Sequence, residues 1–131
     1  MARRSIEVEG LHHSGNPIPA ASRVGSLVTT GGVYGMDPVT GVVAPDAREQ
    51  VRLIFLQLGR VLAEAGAGFD DVAKLTFYVR TSELRPFINE FWLQYFPDAA
   101  SRPARHTLVY DHLPGAILVQ CEAIAMVSDE A

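Results

Sequence analysis

The stretch DAREQVRLIFLQLGRVLAEAGAGFDDVAKLTFYVR, residues 46–80, has two hydrophobic periods in succession. Its first half predicts one apolar stripe on an amphipathic helix, because apolar side chains recur every three or four residues: Val51, Ile54, Phe55, Leu58, Val61, Leu62 and Ala65. Asp46 and Glu49 predict a capping box at the start of this helix, and residues 66–68 (Gly-Ala-Gly) predict its end. From residue 72 to 80 apolar and polar residues alternate, which predicts a strand.

The flanking segments predict further strands and a second helix. An aromatic stripe predicts that helix over residues 82–96, with Pro86 tolerated because it falls in the first turn. Turn residues predict loops over residues 12–17 and 37–41. Strands are predicted over residues 5–8, 26–30, 105–110 and 116–127, with room for a third strand before the first helix.

This order of elements predicts one α+β domain that spans all 131 residues. Each helix is apolar on one side only, so both pack best on the same face of a sheet. The expected architecture is a two-layer sandwich, with a mixed β-sheet and two helices on one face. The other face of the sheet remains open, which predicts either a partner subunit or a ligand cleft there.

Composition and charge exclude several classes of protein. Hydrophobic residues make up 48% of the chain and charged residues 20%, the balance of a folded globular protein. The net charge is −4, and Arg102 and Arg105 are the nearest approach to a basic cluster, so nucleic acid is not the expected partner. No apolar run is long enough for a bilayer and no signal-peptide core is present, which predicts a cytoplasmic protein without a membrane partner.

Motifs that hold metals or phosphates are missing from the sequence. Cys121 is the only cysteine, which excludes an internal disulfide and a thiolate zinc site. It lies in an apolar run, where a cysteine is usually a small buried hydrophobe. His12 and His13 are adjacent, so their side chains diverge and a shared metal is not expected. There is no glycine-rich phosphate loop.

Four polar residues are candidates for a functional site. Arg105 begins a predicted strand, and its guanidinium suits bidentate capture of a carboxylate, although the local sequence alone favours an ion pair with an acidic residue. Gln120 and Glu122 share one face of the last strand. A carboxylate in an apolar strand needs a partner, such as Arg80 or Arg105, or a role in a site. Asn89, taken alone, is interpreted as a surface residue.

Together these segments resemble the YjgF/Rid family of reactive-intermediate deaminases. The resemblance covers nearly the whole chain and rests on the order and spacing of many short pieces. They are GSLVTTGG (25–32), DPVTG (37–41), EAG (64–66), DDVAKLTF (70–77), IN (88–89), YFP (95–97), RPAR (102–105), LPGA (113–116) and CEAIA (121–125).

The resemblance implies a chorismate-mutase-like α+β fold assembled as a homotrimer, with a ligand cleft at each subunit interface. Members of the family hydrolyse imines and enamines that bear a carboxylate to 2-keto acids and ammonia. By this resemblance Arg105 grips the substrate carboxylate, Asn89 lies at the cleft and backbone groups near Thr107 contact the imine nitrogen. No cofactor and no metal are implied.

Several positions depart from the family pattern. Gln120 replaces a glutamate thought to activate water, Ile18 replaces a tyrosine and Gly31 replaces a serine. Thr107 stands where a cysteine is common, and His106 where a small residue is usual.

Two functions remain open after these departures. The first is a deaminase with a larger or dicarboxylic substrate, in which His106 or Glu122 replaces the missing base. The second is a non-catalytic trimer that binds 2-keto acids or similar small carboxylates. Ribonuclease activity, which has been attached to some members, is disfavoured by the acidic pI of about 5.5.

Overall fold

The computed structural model describes residues 2–128 as one sheet and two helices. The strands are β1 (Arg4–Ile6), β2 (Ala21–Val24), β3 (Leu27–Thr30), β4 (Val33–Tyr34), β5 (Val72–Val79), β6 (Ala104–Val109) and β7 (Val119–Met126). The helices are α1 (Ala47–Glu64) and α2 (Arg85–Tyr95). Short 3₁₀ turns over Phe69–Asp71 and Ser82–Leu84 precede β5 and α2.

The sheet is mixed and both helices lie on one of its faces. The strand order is β1-β2-β3-β7-β5-β6, and β4 pairs with β7 beyond the end of β3. Only β5 and β6 are parallel, because α2 forms the crossover between them, whereas the other pairs are antiparallel. The predicted two-layer α+β sandwich with two helices on one face is therefore confirmed.

The element boundaries differ from the prediction where tertiary contacts intervene. The N-terminal part has four strands, including the short β2 and β4, whose few residues offer too little alternation to be recognised. The last strand begins at Val119 instead of residue 116, because residues 114–117 form a turn. The α2 helix begins at Arg85 instead of residue 82, since the Thr81 hydroxyl accepts the Glu83 N–H and the chain first makes a 3₁₀ turn.

Local hydrogen bonds cap both ends of α1, at the residues where the sequence predicts that the helix begins and ends. The Asp46 carboxylate accepts the Glu49 N–H at 3.0 Å, but the Glu49 side chain pairs with Arg52, so only half of the predicted capping box is present. At the other end Gly66 adopts φ +82°, and the Ala67 N–H donates to the Leu62 carbonyl at 2.8 Å. This is a Schellman motif, in which glycine is favoured because φ is positive.

The core lies between the helices and the helix-facing side of the sheet. Phe55 of α1 is fully buried, and its ring centroid is 4.7 Å from that of Tyr95 and 6.0 Å from that of Phe77. The α1 helix also approaches the chain after β4 closely, since a Cβ on Gly35 would lie 2.6 Å from the Gln50 Cα. Gly35 therefore permits a contact that a side chain would block.

The opposite face of the sheet is not covered by either helix. In β7 the residues that alternate with the buried ones are Gln120, Glu122, Ile124 and Met126, and the last two are 44% and 55% exposed. Other apolar side chains exposed on this open face are Val24, Leu27, Leu108 and Tyr110. Within residues 2–128 no helix is both long and apolar enough to cross a membrane.

Candidate functional site

Arg105 lies on the edge strand β6, on the face of the sheet that the helices cover. Its partner in the parallel pairing with β5 is the buried Leu75, so the two side chains point to the same side. The Arg105 Nη2 donates to Asn89 Oδ1 at 2.7 Å, and the guanidinium carbon lies 5.0 Å from the centroid of the Trp92 ring. Two contacts from α2 therefore fix the orientation of the guanidinium.

The interpretation of Arg105 as an ion-pair residue is wrong for the described part of the chain. No acidic side chain among residues 2–128 lies within salt-bridge distance of its guanidinium. Partial burial, together with the nearby positive charge of Arg85, lowers the pKa of Arg105. A partly desolvated cation without an anionic partner is able to bind an anion.

Arg85 and Thr107 lie near Arg105, and Arg85 adds a second positive charge. The Arg85 Nη2 donates to the Thr107 carbonyl at 3.3 Å, and Arg85 stands one turn before Asn89 on α2. Thr107 lies two residues after Arg105 and on the same side of β6. Its hydroxyl is shielded and has no hydrogen-bond partner among the described residues. We call Arg85, Asn89, Trp92, Arg105 and Thr107 the arginine site.

A cavity of about 500 Å³ lies away from the arginine site. Its walls come from the N-terminal loop, the chain around β4 and the loop before β7. Gln120 and Ile18 are both in the wall, so the structure brings together two of the predicted site residues. The lining is mainly apolar and includes Ile18, Met36, Val43, Pro114 and Ile117. We call this space the glutamine cavity.

Two polar side chains of the glutamine cavity converge on Gly32. The carboxamide of Gln120 lies so close to Gly32 that a Cβ on this glycine would be 2.4 Å from Gln120 Nε2. The Nε2 of His13 is 3.0 Å from the Gly32 carbonyl oxygen. Gly31 lies beside them, since a Cβ on it would be 3.9 Å from His13 Nε2. His13 and Gln120 line the cavity, and Gly31 and Gly32 lie against these two side chains.

Tyr34 anchors the N-terminal loop beside this wall. The Tyr34 hydroxyl donates to the backbone carbonyl of His12, and burial raises the pKa of Tyr34. The His13 ring packs edge-on against the Tyr34 ring, with 6.3 Å between the centroids. These contacts position the loop that carries Ile18 and His13.

Glu122 and His106 lie on the open face, outside the glutamine cavity. The carboxylate of Glu122 accepts the Tyr78 hydroxyl at 2.7 Å, and this hydrogen bond raises the pKa of Tyr78. The expectation that Arg80 or Arg105 pairs with Glu122 is therefore wrong. His106 is exposed, and both His106 and Glu122 are paired with Thr76 of β5, so the three side chains form a row across the sheet.

A family model described as Endoribonuclease L-PSP matches residues 14–127. The chain belongs to the YjgF/Rid family. A RutC family protein of Pyrococcus abyssi is 33% identical over 126 residues, which cover 95% of this chain and 98% of that protein. Reactive Intermediate Deaminase A of Arabidopsis thaliana, a chloroplastic protein, is 32% identical over 112 residues, 83% of this chain and 58% of that protein. The crystal structure of Escherichia coli TdcF with bound serine has a TM-score of 0.86 at 27% identity, and the match covers 95% of this chain and 99% of that one.

In this member of the family the site residues fall into two groups that do not meet within one chain. The arginine site is on the helix-covered side of the sheet at its β6 edge, whereas Gln120 is on the open side, two strands away. The sequence motifs place Arg105, Gln120 and Glu122 in one predicted site and give no sign of this separation. Trp92 was predicted to be a core residue, because aromatic stripes on helices usually form core.

Another arginine, Arg80, shapes the glutamine cavity in this family member, although no sequence motif indicates this role. Arg80 donates to the carbonyls of Ile117 at 2.8 Å, Asp111 at 3.0 Å and Gly115 at 3.1 Å, and to that of Leu113. It thus fixes the loop that forms the cavity rim. A sequence signal for this role was not available, because the partners are backbone carbonyls.

The titratable groups of the described chain do not assemble a metal site. Among residues 2–128, no three His, Cys, Asp or Glu side chains come together in a way that could hold a metal ion. Cys121 is fully buried, and burial raises its pKa well above the usual range. Its thiol is therefore a core group rather than a nucleophile.

Proposed function

We propose that this protein is a hydrolytic deaminase that converts imines or enamines bearing a carboxylate to 2-keto acids and ammonia. The observation that carries the proposal is the arginine site: Arg105 has no acidic partner among residues 2–128 and is oriented by Asn89 and Trp92. Its remaining guanidinium donors can hold a carboxylate by two charge-assisted hydrogen bonds. The reactive-intermediate deaminase in the family supports the same reaction class. The proposed reaction needs neither cofactor nor metal.

The proposed site is formed between subunits of a homotrimer. The arginine site and the glutamine cavity are different surfaces, so a cleft that contains both joins unlike patches of two subunits. Such head-to-tail contacts close into rings, and a trimer is a small ring of this kind. The exposed apolar side chains of the open face, among them Leu27 and Met126, support burial of this face by other subunits.

In this cleft Arg105 fixes the carboxylate, and the imine carbon is directed toward the glutamine cavity of the neighbouring subunit. The Gln120 carboxamide then holds the attacking water, since an amide can both donate and accept a hydrogen bond. Fixing both reactants lowers the entropic part of the barrier. The volume of about 500 Å³ and the apolar walls favour substrates with larger side chains than a methylene group.

Arg85 favours substrates with a second negative charge. Its positive charge acts on Arg105, and within residues 2–128 no carboxylate forms an ion pair with either arginine. We expect Arg85→Gln to lower kcat/KM about 5- to 10-fold for dicarboxylic imino acids and less than about 2-fold for monocarboxylic ones. Steady-state kinetics on imino acids made from glutamate and from leucine measure the difference. Arg4→Gln is the matched control, because Arg4 lies in β1 at the opposite edge of the sheet. Equal losses for both substrates would contradict this role of Arg85.

The reaction is tested with imino acids generated in the assay by an amino-acid oxidase. Ammonia release by the wild-type protein is compared with spontaneous hydrolysis in buffer across small, large and dicarboxylic side chains. We expect acceleration that saturates with substrate and that is greatest for the larger or dicarboxylic ones. No acceleration for any of them would overturn the enzymatic proposal.

The alternative is a trimer that binds 2-keto acids without turning over imines. Gln120 favours this alternative, because an amide cannot act as a general base, and Glu122 is engaged by Tyr78 outside the cavity. Under this alternative, 2-keto acids raise the melting temperature while imino acids decay at the buffer rate. The melting temperature with 2-keto acids and the rate of imino-acid hydrolysis together distinguish a deaminase from a protein that only binds 2-keto acids.

A further inference from the structure

We propose that His13 is the general base of the glutamine cavity and that it activates the attacking water together with Gln120. This proposal rests on the proposed deaminase function and assigns a group that sequence analysis did not consider for catalysis. Gln120 orients the attacking water, and the His13 imidazole removes its proton.

The contacts of His13 determine which ring nitrogen can accept a proton. The Gly32 carbonyl is only an acceptor, so the His13 Nε2 at 3.0 Å from it carries the hydrogen. In the neutral ring, Nδ1 is then the nitrogen with a free lone pair. No protein group within residues 2–128 donates a hydrogen bond to it. The bond to Gly32 thus selects the tautomer that a general base at Nδ1 requires.

His13 is also close to the residue that holds the water. The Gln120 carboxamide rests on Gly32 from one side, while the His13 ring is bound to the carbonyl of the same glycine. Both residues line the same cavity of about 500 Å³. A water that the carboxamide holds in this cavity therefore shares the space that the imidazole lines, and general-base catalysis requires such shared access.

The other titratable groups near the cavity are less suited to the role. The Tyr34 proton is donated to the His12 carbonyl, and burial raises the pKa of Tyr34. The only other titratable side chain in the cavity wall is His12, which is exposed, and no Asp or Glu of the described chain lines the cavity. Glu122 is bound to Tyr78 on the open face.

The proposed step balances without a further reactant. The water oxygen bonds to the imine carbon, one of its protons passes to His13 Nδ1, and the electron pair of the C=N π bond moves to nitrogen. The imidazolium then returns its proton to this nitrogen. His13 Nδ1 then takes the hydroxyl proton of the carbinolamine and passes it to the amino nitrogen, so that the carbonyl forms as the C–N bond breaks and ammonia and the 2-keto acid are released. Imine and water are consumed, and the histidine is regenerated.

The test compares the wild type with His13→Gln and His13→Ala on the best imino acid. We expect kcat to fall about 100-fold in both variants with little change in KM, because a general base contributes about 10²–10⁴-fold. Free imidazole restores kcat of His13→Ala about 10-fold or more by entering the vacated space.

The control is His112→Gln, which removes an exposed imidazole outside the cavity wall and is expected to leave kcat unchanged. Melting temperatures identify any variant that is merely misfolded. If the wild type is active but His13→Gln keeps its kcat, or imidazole fails to rescue His13→Ala, the assignment of His13 is wrong and the deaminase function stands. A wild type that is inactive on every imino acid overturns both.

Discussion

Arg105→Ala is expected to lower kcat/KM for imino acids about 10²- to 10³-fold, because the substrate carboxylate loses two charge-assisted hydrogen bonds. The guanidinium is partly buried against Trp92 and already oriented by Asn89, so little order is lost when the ligand binds. Ammonia release measured across a range of substrate concentrations gives kcat/KM for the wild type and for the variant. An unchanged kcat/KM in Arg105→Ala would falsify the assignment of this residue as the carboxylate anchor.

Two further substitutions separate geometry from charge at the arginine site. Arg105→Lys keeps the charge but loses the planar pair of donors, so a loss of about 10-fold is expected, intermediate between wild type and alanine. Asn89→Ala removes only the hydrogen bond that orients Arg105 Nη2, so it should lower kcat/KM less than Arg105→Ala does. Arg4→Ala serves as the control, since it removes an arginine from the opposite edge of the sheet and should leave kcat/KM unchanged. A loss in Arg4→Ala equal to that in Arg105→Ala would mean that net charge alone is measured.

Mixing subunits tests whether the two halves of the site come from different chains. Arg105→Ala lacks the proposed carboxylate anchor, and Gln120→Ala lacks the amide proposed to hold water, so each variant alone is expected to be impaired. After joint refolding at equal amounts, about a quarter of the interfaces combine an intact arginine site with an intact cavity, as random assembly of a head-to-tail ring predicts. Recovered activity near that fraction supports the interfacial cleft. Activity no higher than the mean of the two variants would place both halves in one subunit's own site.

The sequence predicts the fold because its signals are local. The apolar stripe of α1, the alternation in β5 and the glycine at the end of α1 each arise from neighbours along the chain, and the structure confirms all three. Strands β2 and β4 were harder to predict from the sequence. For example, β4 has only two residues and is defined by its pairing with β7. Pairing between distant segments is invisible in a window of local sequence.

The candidate site could be predicted only in part, because its contacts are long-range. The resemblance to the family directed attention to Arg105 and Asn89, and the structure places these two in direct contact. The same resemblance did not reveal that Gln120 lies on the other side of the sheet, or that His13 shares Gly32 with it. Side-chain bonds to backbone carbonyls, such as those of Arg80 and His13, have no sequence signature.

Gln50→Leu is expected to produce the largest loss of stability. Gln50 is fully buried in α1, and its amide nitrogen donates to the carbonyls of Ala44 at 2.7 Å and Ala116 at 2.9 Å, while its oxygen accepts the Leu118 N–H at 2.9 Å. Leucine has a similar size but makes none of these bonds, so three backbone groups lose their partners. At about 1–3 kcal/mol for each unsatisfied buried group, partly offset by the apolar side chain, we expect the free energy of unfolding to fall by about 3–5 kcal/mol.

The matched control for this change is Gln94→Leu, because Gln94 is an exposed glutamine on α2 and should alter the free energy of unfolding by less than about 0.5 kcal/mol. Denaturant unfolding at equal protomer concentration measures both variants, since assembly makes stability depend on concentration. Gln50 also joins α1 to Ala116 in the wall of the glutamine cavity, so its loss should loosen that wall and raise KM. Equal stability of the two variants would mean that the loops around Gln50 rearrange to satisfy their own backbone groups, and that the cavity does not depend on α1 for its shape.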